Sequence, residues 1–216
     1  MVDEQSILVD GPAGQLELIV GLPATGAPVA VVIVCHPHPL YEGSMHNKVV
    51  TTLCRAALRM DCIAVRFNFR GVGASAGAFA DGLGELDDAR AVCGWVRRQW
   101  PGLPLGLAGF SFGAAIALRA AAVEHCFALI TVAPPVGRLF QRGIATPTCP
   151  WLVIQGDADE LVDSQQVRGW VGEIRPAPEL TILDGVDHFF HGRLVELRDL
   201  VTGFLARQAP FFISDD

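Results

Sequence analysis

The sequence predicts an α/β protein in which a mainly parallel sheet of about eight strands carries helices on both faces. Short β-branched runs alternate with longer amphipathic stretches from about residue 29 onward, the rhythm of strand–helix–strand units. Residues 29–35, Val-Ala-Val-Val-Ile-Val-Cys, are apolar throughout, as a strand buried on both faces must be. The chain has 216 residues, 51% of them hydrophobic. That suffices for one domain, residues 1–216, burying roughly 70% of the surface its unfolded chain exposes.

The opening of the chain differs from the rest. Residues 5–9 and 15–20 flank Asp10-Gly11-Pro12-Ala13-Gly14 and read as an antiparallel hairpin feeding the sheet edge. After the strand at 29–35, Ser44 offers an N-cap for a helix whose inward face is Val49, Val50, Leu53 and Ala57, spaced for one helical stripe. Residues 63–67 form the next strand. Leu86, Ala89, Cys93 and Val96 make a second helical stripe, with Asp87 and Asp88 toward its positive end. Strands follow at 105–109, 127–132, 151–155 and 180–183. A last helix over 193–207 buries Leu197, Leu200, Val201 and Phe204. Neither a repeat nor a linker interrupts this order.

Composition excludes several classes. With 18% charged residues, 14 Pro and 23 Gly, the chain is too apolar for disorder. A net charge of −7 without a basic run argues against nucleic acid or an anionic membrane as partner. The uncharged, apolar stretch over residues 99–118 contains Pro101, Pro104 and four glycines, so it reads as strand, turn and helix and not as a membrane span. The start, Met-Val-Asp-Glu, lacks the basic and apolar regions of a secretory signal, and a cytoplasmic protein is expected. Six cysteines without a C-x-x-C pair are read as reduced core thiols.

The strongest chemical signal is Gly109-Phe110-Ser111-Phe112-Gly113, which follows a predicted strand and opens the Ala-rich run 114–118. So sharp a strand-to-helix turn strains its central residue and leaves no room for side chains two positions away on either side, hence the glycines. The serine oxygen is held clear of the sheet at a helix N-terminus. There the Phe112 N–H and the helix dipole can stabilise charge on a carbonyl oxygen. A serine N-cap after a glycine turn is the bland alternative.

A serine hydroxyl is a weak nucleophile and requires a base. Among six histidines, His125 lies between a helix and a strand, His46 in a first helical turn, and His36 and His38 at a strand end. His188, with His191 nearby, lies in the loop before the final helix, over the same sheet edge as Ser111. For the third member, Asp157, Asp159 and Glu160 crowd into residues 155–162. Their spacing is not that of a calcium loop, and charge alone does not choose among them.

The segments 109–113, Gly156-x-x-Asp159-x-x-Val162 and Gly185-x-x-His188 resemble the triad segments of the α/β-hydrolase superfamily. That resemblance implies the α/β-hydrolase fold and selects Asp159 as the acid. Residues 67–75, containing Arg70-Gly71-Val72-Gly73-Ala74-Ser75, are similar to a turn that is structural in that superfamily, so Arg70 and Ser75 receive no catalytic role. With the loop His36-Pro37-His38-Pro39-Leu40-Tyr41 and the turn containing Asn68, nearly the whole chain looks like a family of small bacterial serine hydrolases without a lid, distantly akin to dienelactone hydrolases. The latter use cysteine where this chain has Ser111. Fewer than twenty residues separate the strand ending near Val132 from that starting near Trp151, too few for an independent lid domain.

The resemblance implies a carboxylesterase or thioesterase in which Ser111 attacks, His188 takes its proton and Asp159 holds the imidazole. One oxyanion donor is the Phe112 amide. Where lipases carry H-G-G-G this chain has H-P-H-P, and since Pro37 and Pro39 have no N–H, the second donor is His38 or Leu40, with His38 preferred. A His36-x-His38 zinc site lacks further ligands. Tyr41, Phe110 and Phe189 are expected to contact a small-molecule ester or thioester, and no metal or organic cofactor is implied. The same fold also carries cofactor-free lyases, perhydrolases and non-catalytic binding proteins, though the last usually lose a triad residue.

Overall fold

The computed structural model describes residues 3–24, 27–137 and 145–208. The chain opens with β1 (Asp3–Gly11) and β2 (Gly14–Leu22), paired antiparallel. There follow β3 (Ala30–Cys35), α1 (Lys48–Arg59), β4 (Cys62–Phe67), α2 (Leu83–Gln99), β5 (Leu105–Phe110) and α3 (Phe112–Ala121). β6 (Ala128–Val132), β7 (Trp151–Gly156), α4 (Ser164–Glu173), β8 (Glu179–Leu183) and α5 (Leu194–Arg207) complete the order. The eight strands form one sheet in the order β1-β2-β4-β3-β5-β6-β7-β8. β2 is antiparallel to β4, and every pairing from β4 to β8 is parallel.

The apolar character of β3 follows from this placement. Val31, Ile33 and Cys35 face α2 and α3 on one side of the sheet, while Ala30, Val32 and Val34 face α1 and α5 on the other. Strand order reverses at β3, whose neighbours are β4 and β5. The loops leaving β3 and β5 therefore part there and open a crevice at the carboxyl ends of the strands, the usual place for a ligand in such sheets.

Two local readings need correction. Asn47, not Ser44, caps α1: its Oδ1 accepts from Val49 N at 2.8 Å. The helix starts late because residues 44–47 form a turn closed by Asn47 N donating to Ser44 O at 3.1 Å, which also leaves His46 ahead of the helix. α4 went unread because only Val167 and Val171 of its apolar residues are buried with their neighbour Ser164, a stripe too narrow to register as periodicity. Four cysteines are buried and two half-buried, all as free thiols. Burial pushes the thiol of Cys54 up to about 11 and that of Cys62 to about 12, which makes them poor nucleophiles. Among the described residues no helix is long and apolar enough to cross a membrane.

The turn after β4 is fastened from two sides. The Arg70 guanidinium grips the buried Asp88 carboxylate of α2, Nη2 to Oδ1 at 2.7 Å, and the Arg70 backbone N–H adds a bond to Oδ2 at 3.0 Å. Ser75 Oγ donates to Asn68 O at 2.6 Å and accepts from Glu17 N at 2.9 Å. Asn68 reaches onward, its Oδ1 accepting from Met45 N at 2.9 Å. Arg70 and Ser75 thus brace the loops beneath the crevice. Asp88→Ala, which leaves the guanidinium without its partner, should lower unfolding free energy by about 3 kcal/mol in urea titrations. The exposed neighbour Asp87→Ala should change it by no more than about 0.5 kcal/mol.

Candidate active site

Ser111 sits between the last residue of β5 and the first of α3 with φ 54° and ψ −120°, a conformation that costs of order 1–3 kcal/mol for a residue with a side chain. Two close approaches impose it. A Cβ on Gly109 would collide with the Gly113 carbonyl, and one on Gly113 with the carbonyls of Cys35 and His36 at the end of β3. The Ser111 N–H is anchored on Val132 O, at the end of β6, at 2.8 Å. Phe112 is the first residue of α3, and the first intrahelical bonds run from Ala114 N and Ala115 N to Ser111 O. Its N–H is therefore one of the unpaired donors of a helix start, directed at whatever Ser111 meets.

His188 Nε2 lies 3.2 Å from Ser111 Oγ, and its Nδ1 lies 2.8 Å from Asp159 Oδ2. The His188 and Asp159 side chains are buried, 3% and 0% exposed. An ionised carboxylate only accepts, so the neutral imidazole carries its proton on Nδ1 and presents a bare Nε2 to the serine hydroxyl. Asp159 receives three further bonds: Oδ1 from Leu161 N and Val162 N, both 2.8 Å, and Oδ2 from Gln155 Nε2 at 2.9 Å. Burial alone would raise its pKa. The bond and charge of His188, with the amides of Val162 and Leu161, outweigh it and hold the carboxyl below its ordinary value.

The other two acids of the cluster serve the opposing backbone. Asp157 Oδ1 accepts from Gly185 N at 2.7 Å, and Glu160 Oε2 accepts from His188 N at 3.4 Å. Three neighbouring carboxylates thus hold one loop, but only Asp159 meets the imidazole. Gln155 escaped the sequence reading, whose only signal for it was its place one residue ahead of the glycine in Gly156-x-x-Asp159.

In the loop after β3, His38 and Leu40 separate. The Leu40 N–H turns back onto His38 Nδ1 at 3.2 Å, so Leu40 is not a free oxyanion donor and that expectation is corrected. The ring of His38 packs against Tyr41, Phe79 and Phe112, with centroids 4.8–4.9 Å apart, which ties the loop to the start of α3. Burial lowers its pKa despite the nearby Glu85 and Asp81. The His38 amide has no partner among the described residues.

A family model described as "Serine aminopeptidase, S33" matches residues 26–144. The chain belongs to this family of α/β serine hydrolases. An uncharacterized protein of Rickettsia prowazekii (strain Madrid E) is 34% identical over 213 residues, covering 92% of this chain and 87% of that one. Among solved structures, an α/β serine hydrolase homologue from Coxiella burnetii is 44% identical, spans 92% of this chain and 96% of its own, and superposes with a TM-score of 0.89. A Xanthomonas campestris protein described as an α/β serine hydrolase without lid is 46% identical, spans 95% and 94%, and has a TM-score of 0.91. Esterases of Butyrivibrio proteoclasticus and Pyrococcus furiosus, at 19% identity, share the fold. Among the described residues no lid domain stands between Val132 and Trp151; residues 138–144 of that connection lie outside them.

The remaining predicted contacts divide by burial. Tyr41 and Phe189 are 77% and 42% exposed and Leu40 is 66% exposed, as is Leu161, which the sequence did not single out. Phe110 is wholly buried, its ring 5.0 Å from that of His188. It supports the imidazole from beneath and is withdrawn as a substrate contact, because it is the last residue of a central strand and its side chain faces the core shared with α1 and α5. His36 is also structural: Nδ1 donates to Pro37 O at 2.6 Å and Nε2 accepts from Phe69 N at 3.0 Å. With both ring nitrogens occupied, no His36-x-His38 metal pair is available. His191 Nδ1 bonds Asp187 Oδ2 at 2.7 Å, closing the exposed turn that presents His188. His125 lies beyond the C-terminal end of α3, away from Ser111.

Burial drives the His36 pKa down to about 4, while the bond to Pro37 works the other way. Between about pH 6.5 and 4 the unfolded chain therefore holds a proton at this site that the folded one refuses. Stability is present in full above that window and falls as pH drops through it, by up to about 3 kcal/mol from this residue. Urea midpoints measured across the window should decline less steeply for His36→Asn than for the native protein.

Proposed function

We propose that this hydrolase cleaves a carboxylic ester or thioester by acyl transfer through Ser111. The reading rests on one observation above all: an unbroken chain of hydrogen bonds from Ser111 Oγ through His188 to the Asp159 carboxylate. Ser111 Oγ attacks the carbonyl carbon while His188 Nε2 takes its proton. Asp159 holds the imidazole tautomer and stabilises the imidazolium. The amides of Phe112 and His38 receive the oxyanion. Collapse of the tetrahedral adduct expels the alcohol or thiol, protonated by His188, and leaves an acyl-enzyme that water hydrolyses by the same steps in reverse.

Exposed Tyr41, Leu40, Phe189 and Leu161 on the loops beside Ser111 and His188 favour a small-molecule substrate with an apolar acyl or leaving group.

A panel of p-nitrophenyl and CoA esters of varied chain length, assayed by leaving-group release, tests the reading. At least one class should turn over, and Ser111→Ala should abolish it; a panel inert to native enzyme would contradict an esterase or thioesterase. Asp159→Asn should lower kcat on the order of a thousand-fold or more by imposing the wrong tautomer. Asp157→Asn, which weakens only a loop bond, should cost about tenfold at most.

A further inference from the structure

We propose that Gln155, the wholly buried penultimate residue of β7, is a positioning residue that holds the Asp159 carboxylate in the orientation His188 requires. This rests on the triad reading above. Gln155 Nε2 donates to Asp159 Oδ2 at 2.9 Å, the same oxygen that takes His188 Nδ1–H at 2.8 Å. It also lies 3.0 Å from Gly156 O and 3.2 Å from Val162 O, the two ends of the loop that carries Asp159. The two protons of one primary amide are thus shared among both ends of the loop and the carboxylate midway along it. With Leu161 N and Val162 N on Oδ1 and Gln155 and His188 on Oδ2, the carboxylate cannot rotate without breaking a bond to each.

The orientation of the amide is not arbitrary. Flipping it would set Oε1 against three acceptor oxygens, so the NH2 group must face the loop. Among the described residues Gln155 Oε1 is left buried without a partner, a desolvation cost that an apolar side chain of the same size would avoid. What the glutamine supplies in return is the donor to Asp159.

The second donor on Oδ2 also draws charge from the oxygen facing the imidazole. Without it that oxygen becomes more basic and holds the imidazolium more tightly, so that a larger share of His188 is already protonated and unable to act as base at a given pH. The charged groups around His188 are Asp159 and Glu160 from the loop after β7, and Asp187 and His191 from its own loop. Of these only Asp159 is bonded to Gln155, so a substitution there leaves the other three in place.

Gln155→Met and Gln155→Leu remove the donor with little change of volume. With p-nitrophenyl acetate, kcat should fall about ten- to hundred-fold, the worth of a hydrogen bond to a charged group. KM should stay within about twofold, since Gln155 lies out of substrate reach, and the acid limb of kcat/KM should move to higher pH. A purely structural role would leave that limb in place, and an unmoved limb in either folded variant overturns the proposal. The native protein gives a readout without a variant: nitrogen-15 NMR of the Gln155 side-chain amide from about pH 5 to 9 should titrate in step with the His188 ring. A flat Gln155 resonance overturns the proposal too. If native protein hydrolyses no ester, the acyl-transfer reading fails instead, while the NMR titration still reports whether Gln155 is coupled to the Asp159–His188 pair.

Discussion

Where β5 turns into α3, the backbone passes so close to itself and to the end of β3 that neither Gly109 nor Gly113 can carry a side chain. The rest of the site is built around that contact. It forces Ser111 into its positive-φ conformation, lifts the hydroxyl off the sheet and aims the start of α3 at the same point. It also seats α3 against Cys35 and His36, whose strand leads directly into the loop bearing the His38 amide. Both amides assigned to the oxyanion are thus set by one backbone approach, and strained Ser111 is held by the β-sheet bond to Val132.

Across the crevice, the loops after β7 and β8 face each other because the two strands pair in parallel, with Gln155 opposite Ile182 and Gly156 opposite Leu183. Carboxylates on the first loop take up backbone and imidazole donors of the second. The low exposure of the Asp159–His188 pair makes this economical: a buried charge is costly unless its hydrogen-bonding capacity is filled, and Asp159 has four donors. The apolar floor supplied by Phe110 excludes water from beneath the imidazole.

Much of this was legible in the sequence for local reasons. The glycines at 109 and 113 announce an elbow because sterics allow nothing else, and β3 and β5 announce themselves by continuous apolar runs. The hairpin of β1 and β2 is marked by the turn residues 10–14. What escaped depends on partners distant in sequence. Asp88 looked like a helix-end charge until Arg70, eighteen positions away, was found on it. Phe110 read as an aromatic near the nucleophile, but which way a strand residue points is decided by its neighbours across the sheet. Leu40 stood level with His38 as a donor because a side chain capturing a nearby amide leaves no pattern in composition. Asp159 was separated from Asp157 and Glu160 by family likeness alone, and its distinct surroundings emerge only when the loop after β8 is folded against it.

The central claim is that Ser111 is a nucleophile activated by His188. Labelling with a fluorophosphonate probe, followed by peptide mass mapping, tests it most directly. The account predicts a single adduct on Ser111, absent in Ser111→Ala and formed far more slowly in His188→Ala. Failure of the folded native protein to label, or equal labelling of Ser111→Ala, would contradict it.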